Sequence, residues 1–326
     1  MRFEHAPASP SDVLDVRPFG KSWIELKRDG TLARSPLDLS GLDLGGPIEL
    51  HVARDLRHVA VVERFGRKGR AFRDGKVTME LDRGGYRNDL SVFPVAFLDQ
   101  KGRSLLVHAT DWNRLDVSAP STGELLSGRE TIPYQKGEPL DPRYLNYFYG
   151  ALHISPDDRR IATDGWRWHP FGEVRSWSLD AWISNLWESE NGPSVRSLTY
   201  REDWNQPLCW IDDGTIAVWG IGGYDEDEKS SGIWTFNSES LEKRLLLDPG
   251  FSPHRPWPPK TGRQGWMVFD GGLLFAIDPS TGTTVWTLAG ERLHFEAGFA
   301  PRRYHPDRRE FSSWEDGKIW ASRLVP

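Results

Sequence analysis

The chain has 326 residues, 38% of them hydrophobic, and its 47 acidic side chains outnumber 41 Lys and Arg for a formal net charge of -6. That is apolar material enough for one large all-β domain or two smaller ones, and the acidic balance argues against nucleic acid and anionic lipid, which require a concentrated basic surface. The segment Met1 to Pro10 has no signal-peptide core, no run reaches the eighteen or so apolar residues of a membrane span, and Cys209 alone makes no disulfide within the chain, so a cytoplasmic location is expected.

Along the chain one unit recurs six times: an apolar stretch, a short turn carrying Asp, and a second β-rich stretch. The turns are Asp55-Leu-Arg-His58, Asp99-Gln-Lys-Gly102, Asp157-Asp-Arg-Arg160, Asp212-Asp-Gly-Thr215, Asp270-Gly-Gly272 and Asp307-Arg-Arg-Glu310. A fixed repeat built only of strands and polar hairpins implies a propeller. A third strand follows each pair, with Trp177, Trp234, Trp286 or Trp320 at one position and Phe72 or Leu115 in the first two units. Large flat side chains there suit packing between neighbouring twisted sheets, so these Trp residues are expected to be buried. A fourth strand follows a tight turn, as in Arg73-Asp-Gly-Lys76 before Val77.

Through Ser155-Pro-Asp-Asp-Arg-Arg160 and the third-strand Trp the chain resembles the WD-repeat propellers, and through Leu273 to Gly282 with Trp286 it is similar to quinoprotein-type repeats. The residues after the Trp, namely Ser178, Thr235, Thr287 and Ala321, stand where the WD-repeat family has Asp. The resemblance implies a ring of four-stranded blades across residues 1–326. We expect six blades, with residues 1–45 closing the ring through Trp23 to Leu26; a seventh blade built from residues 11–45 is the alternative. Closure by both termini removes exposed sheet edges.

The turn Asp residues lie 44, 58, 55, 58 and 37 residues apart, against about 40 to 45 for a plain blade. The extra length falls mostly on the face bearing the loops after second strands and between blades. Asp111, Trp112, Asn113, Asp164, Trp166, Trp168, His169, Asp203, Trp204, Asn205 and Trp257 gather there as a candidate partner-binding surface, because long loops on a rigid frame are where binding sits. On the opposite face, residues 179–190 contain a short helical insertion, with Trp182, Ile183, Leu186 and Trp187 on one stripe.

No phosphate loop, nucleophile elbow or metal-binding motif is found, and no cofactor is expected. His51, His153 and His305 are candidate channel residues that could hold a transition metal, but the expected reading assigns them none. The function expected is a noncatalytic protein-interaction scaffold using its Trp-rich face. The alternative is a carbohydrate-binding or glycoside-processing propeller, with Asp111 and Asp164 as acid and base.

Overall fold

The computed structural model describes residues 1–33, 35–134, 136–168, 171–222, 229–250, 252 and 264–326. Seven antiparallel sheets follow one another along the chain. From channel to rim, blade 1 runs from Val13–Phe19 to Ser35–Pro36, blade 2 from Ile48–Val52 to Lys76–Asp82, and blade 3 from Val95–Gln100 to Glu124–Leu125. Blade 4 runs from Tyr147–Phe148 and Leu152–Ile154 to Arg196–Arg201, blade 5 from Leu208–Trp210 to Lys243–Leu247, and blade 6 from Trp266–Asp270 to Arg292–Ala297. Blade 7 starts at Arg303–His305 and takes its outermost strand from the other end of the chain: Arg2–His5 pairs with Lys318–Val325, Phe3 opposite Leu324, and Ser9–Pro10 joins the same strand.

Two expectations are corrected here. The ring has seven blades, because residues 13–36 form a blade of their own, and the closing strand is Arg2–His5 rather than Trp23 to Leu26. Trp23 to Leu26 lie in the second strand of blade 1, Ser22–Lys27. Blade 1 escaped the count because its first turn, Phe19 to Ser22, is made by Gly20 at φ +56 without an Asp, and because its outer strands have two residues each.

The recurring Asp has a local cause. In the turns entered at Asp55, Asp99, Asp157 and Asp212 the carboxylate accepts backbone N–H groups two or three residues on, at 2.7–3.1 Å. These bonds hold a turn whose next residues include Leu56, Lys101 or Asp158 in the left-handed region.

Six of the seven joints between blades are apolar. Separate buried clusters join blades 1 and 2, 2 and 3, 3 and 4, 4 and 5, 5 and 6, and 6 and 7. Among the described residues no such cluster joins blade 7 to blade 1. That joint is polar: Arg303 makes a two-pronged pair with Asp15 at 2.9 and 3.1 Å, Trp23 Nε1 donates to Glu310 at 2.7 Å, and Trp314 Nε1 donates to the Leu14 carbonyl at 3.2 Å.

The third-strand Trp residues do not share one position. Trp177 stands opposite Ile161 and Trp286 opposite Leu274, each the second residue of its neighbouring strand, whereas Trp234 faces Val218 and Trp320 faces Ser313, the fourth. Phe236 occupies the equivalent site in blade 5 and is fully buried. Trp177 is buried, while Trp234, Trp286 and Trp320 are only half-buried.

The insertion below blade 4 is two short helices, Leu179–Ser184 and Glu188–Asn191, the first capped by the Ser178 side chain. Its expected apolar stripe is divided. Trp182 is buried edge-on to Trp177, whereas Ile183 and Leu186 point to solvent.

Candidate functional site

Loops after second strands and loops between blades emerge together, and on that upper face the aromatic side chains of blades 3, 4 and 5 converge. The second strand of blade 4, Arg160–Arg167, forms a long hairpin with Phe171–Ser178, so Asp164 and Trp166, expected in a loop, are strand residues. Gly165 between them lets the innermost strand come close: a Cβ there would lie 2.1 Å from the Phe148 carbonyl and 2.5 Å from the Tyr147 ring. The Tyr147 hydroxyl fills the space, accepting from Gly165 N at 2.7 Å and donating to the Glu173 carbonyl at 2.8 Å. Burial pushes that hydroxyl well above the ordinary tyrosine range.

Close approach puts Phe148 face to face with Trp166, ring centres 3.9 Å apart and planes 5° from parallel. Trp204, from the connection between blades 4 and 5, stacks on the other side of Trp166 at 5.1 Å, and Trp112 packs on Phe148 at 4.3 Å. Trp166 and Trp204 are thus buried, and Trp112 is half-buried. Their polar companions serve the backbone: Asp111 accepts from Trp112 N at 2.7 Å, and Asn113 donates to the Leu145 carbonyl at 2.8 Å. Asp164, also buried, takes Gln206 N at 2.5 Å and lies 3.2 Å from the Arg201 guanidinium. Asp203 is exposed beside the stack. His169 and Trp257 lie outside the described residues.

A residue set that sequence reasoning missed completes the face. The connection from blade 2 to blade 3 crosses to the blade 4–5 junction, where the Leu90 carbonyl accepts from Trp204 Nε1 at 2.7 Å and from Asn205 Nδ2 at 3.0 Å. Arg83 pins that connection from inside, donating to the carbonyls of Gly66, Ser91 and Val92 at 2.8–3.1 Å. Burial pushes the Arg83 guanidinium down to about 9. The loop's tip lays Tyr86 against Trp112, Phe148 and Trp168, at 5.5, 5.8 and 6.1 Å, and Arg87 over the Trp168 ring at 5.7 Å. Tyr86 and Trp168 are 51% and 40% exposed, the outward rings of an otherwise buried stack. The available signal was the twelve-residue connection itself, with Gly84-Gly85 leading into Tyr86-Arg87.

Among the described residues no three His, Cys, Asp or Glu side chains form a metal-holding group. His305 spends Nε2 on the Ser22 carbonyl at 2.8 Å, and burial pushes His153 down to about 4. No helix among the described residues is long and apolar enough to cross a membrane.

No family model matches the chain, and no curated protein matches it. Solved structures do. A chain of the mitotic checkpoint complex is 10% identical with a TM-score of 0.57, the match covering 99% of this chain and 94% of that one. BamB from Moraxella catarrhalis is 12% identical with a TM-score of 0.50, covering 99% and 100%. The likeness establishes a WD-repeat-like, quinoprotein-like β-propeller. With 536 solved chains matching, it fixes architecture and leaves function to the site.

Proposed function

We propose that this protein is a noncatalytic propeller that binds another protein on its upper face, centred on Tyr86 and Trp168. The observation that carries this reading is two exposed aromatic rings seated on a buried stack of Phe148, Trp166 and Trp204. Side chains held this way lose little freedom on binding, and interface hot spots favour aromatic residues with a polar surround. Arg87, Asp111 and Asp203 supply that surround. That one solved chain with this fold belongs to a checkpoint complex is in keeping with the reading.

The glycosidase alternative needs a free acid and base, whereas Asp164 is tied to Arg201 and Asp111 caps a turn. Its surviving form is sugar stacking on the same two rings. Affinity purification from the native source with the wild-type chain and the Tyr86→Ala, Trp168→Ala double variant tests both readings. The double variant is expected to lose the captured protein while its stability changes by less than about 0.5 kcal/mol. Retention of every protein partner, with loss of binding to a glycan array, would transfer the face to the sugar reading.

A further inference from the structure

The polar joint between blades 7 and 1 borders a cavity of about 170 Å³ at the upper end of the channel, with walls from blades 1, 2, 6 and 7. On one side it meets a charged network. Asp15 pairs with Arg303 at 2.9 Å and with Arg17 at 3.5 Å, and Glu49 pairs with Arg64 at 2.6 Å and with Arg303 at 3.4 Å. Asp15 also accepts the backbone N–H groups of Val16 and Leu50. Three guanidiniums therefore share two carboxylates. The nearby His51 does not add to that excess of positive charge, since burial holds its imidazole below its usual range and so favours the neutral ring.

Among the described residues one positive charge is left over, in a place where charge is costly. Burial and the neighbouring Arg303 push Arg17 down to about 10, the response of a guanidinium short of counter-charge. A second deficit lies at the same spot. Arg64 donates to Gln264 Oε1 at 2.8 Å, which fixes the amide's orientation, and the buried Nε2 donor of Gln264 has no hydrogen-bond partner among the described residues. The remaining walls include Phe65, Trp266 and Trp314, with the Arg303 guanidinium over the Trp314 ring at 5.9 Å.

We propose that this cavity is a carboxylate-binding site, taking an acid with an apolar body whose carboxylate lies between Arg64, Arg303 and Gln264 Nε2 and whose body rests on the aromatic walls. The carboxylate supplies the missing negative charge and the acceptor that Gln264 lacks, and bonds between charged groups and carboxylates are the strong ones. The size suits a ring-sized organic acid or the last residue of a peptide with its free terminus. This site is separate from the Tyr86 and Trp168 face, so its ligand need not be the partner proposed above.

Sodium benzoate titrated into the full-length chain, followed by melting temperature and by calorimetry, provides the test. Benzyl alcohol keeps the ring and removes the charge. Saturable binding of benzoate, at least about tenfold tighter than benzyl alcohol and weakened at least about tenfold by Gln264→Leu, is the result expected for a free acid. Binding of a short peptide ending in phenylalanine, absent for its C-terminal amide, with benzoate failing to bind, supports the same site with a chain terminus as the source. Arg64→Gln should abolish either interaction, and the Tyr86→Ala, Trp168→Ala variant should alter neither. Equal affinity for benzoate and benzyl alcohol, no saturation by either acid up to about 10 mM, or unchanged affinity in Gln264→Leu would overturn the assignment.

Discussion

Blade 4 meets blade 3 through Trp177, Trp182, Tyr149 and ten other buried apolar side chains, whereas blade 7 meets blade 1 through Arg303, Asp15, Trp23 and Glu310. The first joint is stabilised chiefly by area removed from water, with the buried Arg129–Glu190 ion pair beside the apolar cluster. The second is directional. It depends on charges that must be matched, and there the chain's two ends also come together to close the ring. The same architecture therefore contains six joints with an apolar cluster at their centre and, among the described residues, one that relies on charge without such a cluster.

The largest effect expected is on the apolar side. Trp177→Ala removes a fully buried indole and should cost about 3–5 kcal/mol in chemical denaturation. Trp234→Ala, at a half-buried site two residues from the equivalent position in its strand, should cost less than half as much. Equal losses would mean that the two Trp residues are equivalent after all and that the register difference has no energetic weight.

A smaller effect, with a different signature, belongs to the polar joint. Burial alone would raise the Glu49 carboxyl, but Arg64, the neighbouring His51 and Arg303 outweigh it and hold the group well below its usual 4.5. A carboxylate depressed on folding adds stability that is fully present above the unfolded pKa and is lost as pH falls through the folded one. Glu49→Gln should therefore cost about 2–3 kcal/mol at neutral pH, and the gap from wild type should narrow as pH drops below 4.5. A pH-independent gap in urea titrations would reassign Glu49 to packing.

How much of this was legible follows from the kind of signal each region carries. Blades 2 to 7 announced themselves because each first turn carries an Asp, which in blades 2 to 5 caps the turn, and Asp157 or Asp212 can be read one letter at a time. The upper face was half legible. Trp112, Trp166 and Trp204 stood out by type, but which ring is buried depends on Gly165 admitting Phe148 and on Arg83 holding a distant loop, and neither relation has a sequence period. The polar joint was least legible. Asp15, Glu49, Arg64 and Arg303 are scattered over nearly the whole chain, and only ring closure makes them neighbours.

The smallest effect tests the turn chemistry that made one blade invisible and the others plain. In blade 2 the Asp55 cap holds Leu56 at φ +60, a conformation that costs a side-chain-bearing residue, and Leu56 is half in solvent, so little packing opposes its removal. In blade 1 the corresponding strain is avoided by Gly20, around which no heavy atom lies within 4 Å of an added Cβ. Leu56→Gly should therefore raise stability by about 0.5–1 kcal/mol, and Gly20→Ala should lower it by a similar amount purely through the backbone. Gly20→Asn, which tolerates the left-handed region, should lose less than Gly20→Ala in thermal denaturation. If Asn and Ala cost the same, the positive φ is not what selects glycine there, and the missing Asp in blade 1 needs another cause.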